Sequence, residues 1–181
     1  KDMERMLKEI EDLARKLREE LKRVLDELRK TAKRDEEELK KVNKEAKESA
    51  RELEEKLRRG LSREEVEKDV RDHRKKSEEV NRRNRERRKK TREDVERVKR
   101  ETRRKEEALE RRLKEVVDRK GDTEVVKELR KLLKKIKDDV RRLDKELDEL
   151  LRRWEESVER LNREHKKTDE KVEEDVKRTT T

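Results

Sequence analysis

The chain has 181 residues with 63 basic and 53 acidic side chains, a net charge of +10 and only 25% apolar residues. It has no cysteine, which excludes disulfides and thiolate metal sites, and no apolar run approaches the ~20 residues of a membrane span. Taken alone, this composition is typical of disorder, but Glu, Lys, Arg and Leu are strong helix formers and no proline interrupts them.

The first predicted element is a helix over residues 2–59, ended by Gly60, because glycine fits the left-handed position that follows a helix. Its apolar residues recur in steps of three and four, and the pattern repeats every 18 residues. Eighteen residues make five turns of 3.6, which predicts a nearly straight helix. The predicted apolar stripe comprises Met3, Met6, Ile10, Leu13, Leu17, Leu21, Val24, Leu28, Leu39, Val42, Ala46, Ala50, Leu53 and Leu57.

The second predicted helix covers residues 62–119. Ser62 is a natural N-cap, Glu65 completes a capping box, and Leu61 and Val66 are placed to form a hydrophobic staple. The stripe of its first half has only three valines. Polar residues take the remaining stripe positions, namely His73, Ser77, Asn84 and Thr91.

The third predicted helix covers residues 122–179 and follows Gly121. Asp122 or Thr123 can cap its first turn. Its stripe begins at Val125 and includes Val140, Val158 and Val176, which are again 18 residues apart.

The loops at the two glycines are only two or three residues long, which forces neighbouring helices to run antiparallel. The fold class is therefore predicted to be all-α, a single antiparallel up-down-up three-helix bundle of ~58-residue, nearly straight helices. Residues 1–181 are predicted to form this one domain. A single continuous charged helix is the competing interpretation, and the capped glycines argue against it.

Pairing across the loops divides the predicted bundle into a Leu-rich half (residues 1–30, 92–120 and 122–151) and a polar half (32–59, 62–91 and 152–181). A buried polar group without a partner costs about 1–3 kcal/mol, so polar residues in such numbers favour paired, hydrogen-bonded layers. The predicted network comprises Asp35, Asn43, His73, Ser77, Asn84, Arg88, Thr91, Trp154, Asn162, His165 and Thr168.

Within this network, His73 is predicted to lie near His165 and Thr168. The Arg88 guanidinium is predicted to stack on Trp154 and to pair with Asp35. The alternative is that these side chains lie at the edge of a thin bundle and meet water.

Enzymatic chemistry is not expected. Two histidines without an HxxxH spacing do not make the three or four ligands of a zinc site, and there is no cysteine nucleophile or Gly-rich phosphate loop. No catalytic residue, metal, cofactor, membrane or specific nucleic acid is therefore predicted. Residues 81–92 carry eight basic side chains and one acidic one, which leaves a non-specific nucleic-acid-binding module as an alternative to a solvated basic face.

Three helices of near-equal length, Gly-Leu-Ser and Gly-Asp-Thr loops, the 18-residue period and the abundance of Lys, Arg and Glu together resemble de novo designed, parametric three-helix bundles with buried hydrogen-bond networks. The resemblance implies a monomeric structural scaffold without a native substrate, whose interior polar and histidine layers serve specificity or pH response. Protonation of His73 and His165 is then expected to open the polar half below about pH 6. A subunit of a larger designed helical assembly is the alternative. No signal-peptide pattern indicates a localisation.

Overall fold

The chain folds into three α-helices: α1 (Asp2–Arg58), α2 (Arg63–Lys120) and α3 (Glu124–Thr180). The structure, a computed structural model, describes residues 2–121 and 123–180, with the side chains of residues 2, 3, 63, 120, 179 and 180 left out. The predicted all-α, three-helix fold is confirmed, and every helix begins and ends within two residues of its predicted limits. The predicted cap Asp122 and the predicted stripe side chain of Met3 lie outside the described residues.

Both glycines adopt the left-handed conformation, with φ of 68° at Gly60 and 70° at Gly121. After Gly121, the Thr123 hydroxyl accepts a hydrogen bond from the Val126 amide at 3.4 Å, so Thr123 caps α3. No side-chain hydrogen bond joins Ser62 to Glu65, although both residues are described, so the predicted capping box is not formed. The first turn of α2 is closed by the backbone bond from the Val66 amide to the Ser62 carbonyl at 3.1 Å.

Substitution of either glycine by alanine is expected to cost about 1 kcal/mol, because a residue with a Cβ atom is strained at positive φ. Nothing lies within 4 Å of the position that the new Cβ atom would take at Gly60 or Gly121, so the cost comes from the backbone alone. Equilibrium denaturation of Gly60→Ala and Gly121→Ala measures it. Gly60→Asn is the control and should cost less, since asparagine tolerates positive φ. Alanine variants as stable as the original chain would contradict the prediction.

Contacts along the chain divide it into two compact units. Unit 1 contains Lys1–Lys30 and Arg92–Leu151, and unit 2 contains Thr31–Thr91 and Arg152–Thr181. All three helices contribute to each unit. These limits coincide within one or two residues with the Leu-rich and polar halves that the sequence predicts.

Unit 1 has a continuous apolar core to which all three helices contribute. Its buried members are Ile10, Ala14, Leu17, Leu21, Leu25, Val95, Val98, Leu109, Leu113, Val116, Val126, Leu129, Ile136, Val140, Leu143 and Leu147. The predicted stripe is wrong at two positions, because Leu13 is 41% exposed and Val125 is 42% exposed. Their neighbours Ala14 and Val126 are buried instead. The reason is that consecutive residues of a helix are rotated by about 100°, so a one-residue error moves a side chain off the stripe.

Unit 2 has a smaller apolar cluster, made of Ala50, Leu53, Leu57, Val66, Val70 and Val172. Outside this cluster, unit 2 buries apolar and polar side chains in equal numbers, and the apolar ones are Ala32, Leu39, Ala46, Val80, Trp154 and Val158. Seven polar or charged side chains are buried within the described part of the chain, and unit 2 contains all of them except Thr102. The buried polar side chains that could form a site are therefore concentrated in unit 2.

Candidate functional site

One carboxylate in unit 2 contacts two buried imidazoles. Asp169 Oδ1 lies 3.1 Å from His73 Nε2, and Asp169 Oδ2 lies 3.2 Å from His165 Nε2. The Ser77 hydroxyl donates to Asp169 Oδ2 and lies 2.9 Å from His165 Nε2, while Ser49 Oγ lies 3.4 Å from His73 Nδ1. These five residues are called the histidine cluster.

Helical spacing brings the histidine cluster together. His73 and Ser77 lie one turn apart on α2, and His165 and Asp169 lie one turn apart on α3, so each pair occupies one helix face. Ser49 of α1 faces His73, and both imidazoles are only 3% exposed. Each of the three helices therefore contributes to the cluster.

The carboxylate of Asp169 is ionised under ordinary conditions. Burial raises the pKa of Asp169, but hydrogen bonds from His165, His73 and Ser77 together outweigh burial and hold the pKa well below its ordinary value of 3.8. A carboxyl group with a lowered pKa in the folded state stabilises the fold above its unfolded pKa. This contribution is present above about pH 4 and is lost as the pH falls further toward the folded-state pKa.

The negative charge on Asp169 determines which atoms of the histidine cluster donate hydrogen bonds. An ionised carboxylate only accepts hydrogen bonds, so Nε2 of both imidazoles must carry a hydrogen. The Ser77 hydroxyl and Asp169 therefore meet the same nitrogen of His165, Nε2. In a catalytic triad the hydroxyl and the carboxylate meet opposite ring nitrogens, and the nitrogen that faces the hydroxyl accepts its proton. Nε2 of His165 already carries a hydrogen, so it cannot act as a base toward Ser77.

Metal binding receives no support from this geometry. Among the described residues, no group of three or more His, Cys, Asp or Glu side chains is arranged to hold a metal ion. In the histidine cluster, the carboxylate oxygens of Asp169 are engaged by ring N–H and hydroxyl donors. The cluster is therefore a hydrogen-bonded site.

Three asparagines make a second set of interior contacts, called the asparagine set. Asn84 Nδ2 of α2 donates to Asn162 Oδ1 of α3. Asn43 Nδ2 of α1 donates to the carbonyl of Leu161 on α3 at 3.1 Å. Among the described residues, the side-chain oxygens of Asn43 and Asn84 are buried without a hydrogen-bond partner.

Arg87, which adjoins Arg88 in α2, makes a hydrogen bond with Asp35, and the pairing of Arg88 with Asp35 stays a prediction. Asp35 is buried and accepts from Arg87 Nη1 at 3.0 Å, whereas Arg88 lies 3.6 Å from Glu159. Because adjacent residues of a helix point in directions about 100° apart, the neighbouring arginine reaches α1 and Arg88 reaches α3. The stacking of Arg88 on Trp154 stays a prediction.

The remaining predicted site residues are not joined to the histidine cluster or the asparagine set. Trp154 is 3% exposed, and its Nε1 atom is buried without a hydrogen-bond partner among the described residues. Thr168 is half-buried and donates to the carbonyl of Glu164 in its own helix at 3.0 Å. Thr91 is half-buried and makes no side-chain hydrogen bond within the described part of the chain.

The sequence prediction missed residues that complete the polar interior. Asp169, at the centre of the histidine cluster, is one of 53 acidic residues and carries no signal of its own. Its position one turn after His165 is the only indication, since residues four apart share a helix face. A second missed contact joins Ser157 Oγ to Glu36 Oε1 at 2.6 Å. The hydrogen bond from Ser157 is the main reason why the pKa of Glu36 is lowered.

The basic segment over residues 81–92 is largely engaged in ion pairs. Arg82 and Arg83 lie near acidic residues one turn away in α2. Arg87 contacts Glu38 of α1 at 3.0 Å, in addition to Asp35.

The chain is similar to a solved three-helix bundle. No family model and no curated protein matches it. A structure described as a "Computationally designed three helix bundle" is 20% identical, with a TM-score of 0.46, covering 99% of this chain and 89% of that one. At this level of similarity, neither origin nor activity follows from the match. Among the described residues, no helix is long and apolar enough to cross a membrane.

Proposed function

We propose that the chain is a designed structural scaffold without enzymatic activity, a monomer and a single three-helix bundle. Its interior polar contacts are proposed to specify which residues of the three helices face one another. The observation that supports this proposal is the hydrogen bond between Asn84 of α2 and Asn162 of α3, inside a unit whose apolar cluster is small.

The physical reason is that polar contacts between helices discriminate against wrong registers more strongly than apolar ones do. A leucine displaced by one turn meets another apolar side chain and loses little. An asparagine displaced by one turn loses its partner and leaves a buried polar group unsatisfied, at about 1–3 kcal/mol. A single buried asparagine fixes register and oligomeric state in coiled coils by this mechanism, at a cost in stability.

Replacement of the asparagine pair by leucine tests the proposal. The double variant Asn84→Leu with Asn162→Leu is expected to be at least as resistant to denaturant as the original chain, because well-packed apolar groups replace buried polar ones. It is also expected to lose uniqueness, giving oligomers in sedimentation equilibrium and broadened or doubled amide resonances. The original chain should sediment as a monomer with one set of resonances.

Thr102→Val is the matched control. Thr102 is also buried, but its hydroxyl donates to the Val98 carbonyl of the same helix at 2.7 Å and therefore carries no register information between helices. This variant should remain a monomer with one set of resonances. A double leucine variant that behaves in the same way would show that the asparagine pair does not specify the register.

A further inference from the structure

The histidine cluster contains three groups that change charge with pH, and their arrangement decides what a proton does there. With both imidazoles neutral, the cluster carries a single negative charge on Asp169. One added proton makes it neutral by forming an ion pair between an imidazolium and the carboxylate. Only the second proton leaves an uncompensated positive charge in a buried place, which is costly.

His73 can accept the first proton without losing a hydrogen bond. Its Nε2 already donates to Asp169 at 3.1 Å, and its Nδ1 faces the hydroxyl of Ser49 at 3.4 Å. A hydroxyl group is both donor and acceptor, so rotation of the Ser49 hydroxyl turns the Nδ1 contact from an accepted into a donated bond. The same five residues therefore satisfy both protonation states.

Charged groups that flank the histidine cluster on the three helices are themselves paired. Arg74 of α2 binds Glu173 of α3 through two hydrogen bonds of 2.8 and 2.9 Å. Lys47 of α1 lies 3.4 Å from Glu164 of α3, and Lys171 of α3 lies 3.5 Å from Glu54 of α1. Asp169 is the carboxylate that contacts both rings, and Glu173, which is paired with Arg74, interacts electrostatically with Asp169.

We propose that Asp169 is the counter-charge that allows unit 2 to take up one proton at His73 or His165 and stay folded, so that the histidine cluster protects the unit against mild acid. This inference rests on the proposed role of the interior polar contacts. It reverses the expectation, based on the two histidines alone, that unit 2 opens below about pH 6. Without Asp169, the same two histidines become an acid-triggered switch.

Asp169→Asn tests this directly, because asparagine keeps the size and one acceptor oxygen but removes the charge. Guanidinium denaturation of the full chain is followed by the fluorescence of Trp154, which lies in unit 2, at pH 7.5, 6.5, 5.5 and 5.0. The midpoint of the original chain should fall less over this range than that of Asp169→Asn, because one of its two imidazoles meets a counter-charge when it takes up a proton. In Asp169→Asn the unfolding constant should rise about tenfold or more between pH 7.5 and 5.0, since ordinary imidazoles titrate near pH 6.5.

Two controls separate the counter-charge from other effects. Asp69→Asn removes another carboxylate of unit 2, one that binds Lys56 at 2.9 Å, and it should leave the pH profile the same as in the original chain. Adding His73→Gln and His165→Gln to Asp169→Asn should make the profile flat, because the titrating imidazoles are gone. A profile of Asp169→Asn parallel to that of the original chain would overturn the proposal.

Imidazole NMR resonances of the original chain give a second measurement, which holds even where Asp169→Asn fails to fold. The resonances of one histidine should shift between pH 7.5 and 5.0 while the amide resonances of unit 2 remain dispersed. Imidazoles that titrate only as these amides lose dispersion would overturn the counter-charge role. Neither result depends on the asparagine pair, whose failure would appear in the oligomeric state at constant pH.

Discussion

Leu147→Ala should lower the free energy of unfolding by about 3–5 kcal/mol, the largest loss that we expect from a single aliphatic side chain. Leu147 is fully buried and belongs to the continuous apolar core of unit 1. Truncation removes three buried carbon atoms and leaves a cavity that the neighbouring helices cannot readily close. Denaturation followed by circular dichroism measures the loss, and amide hydrogen exchange of residues in unit 1 should accelerate with it.

Leu13→Ala is the matched control, with the same chemical change in the same unit. Leu13 is 41% exposed, so its truncation should cost less than about 1 kcal/mol. The comparison tests whether the apolar stripe of α1 passes through Ala14, as observed, or through Leu13, as predicted. Equal costs at Leu13 and Leu147 would contradict the burial described for α1.

Trp154→Ala has the second large effect, with an expected loss of about 3–5 kcal/mol that should appear in unit 2. The indole is 3% exposed and is the only aromatic side chain in the protein. Since the substitution removes the fluorophore, far-UV circular dichroism and hydrogen exchange must report the change. Exchange in unit 2 should accelerate.

Trp154→Phe distinguishes the loss of buried volume from the loss of the indole N–H group. The Nε1 atom of Trp154 is buried without a partner among the described residues, so its removal abolishes an unsatisfied donor. Phenylalanine should therefore recover more than half of the stability that alanine loses, despite its smaller volume. A phenylalanine variant as unstable as the alanine variant would mean that the indole N–H makes a stabilising contact.

The fold was predictable because its signals are periodic and redundant. Gly60 and Gly121 are the only residues that adopt positive φ among those described, and they fix both loops. The 18-residue repeat is carried by dozens of positions, so a few errors do not disturb it. Leu13 and Val125 were misplaced because each stands next to a smaller or similar apolar residue, Ala14 or Val126, and either member of the pair fits a step of three or four.

The polar interior was predictable in composition but not in its contacts. His73, Ser77, Asn84 and His165 interrupt an apolar stripe, which marks them in the sequence. Asp169 does not, because a carboxylate beside the stripe looks like the many carboxylates on the surface. The adjacent arginines Arg87 and Arg88 differ by a rotation of about 100°, and only packing decides which of them reaches Asp35.

The composition of the two units has a consequence for how the chain folds. Unit 2 contains the helical hairpin around Gly60 and the segment Arg152–Thr181. Residues of unit 1 separate this segment from the hairpin along the chain. Unit 1 likewise joins the hairpin around Gly121 to Lys1–Lys30, across residues of unit 2. Each hairpin forms by closing a short loop, which is fast. The remaining segment of each unit can join its hairpin only by closing a longer loop, which contains the hairpin of the other unit. Formation of one hairpin shortens the loop that the other unit must close. Folding of each unit is therefore expected to accelerate folding of the other.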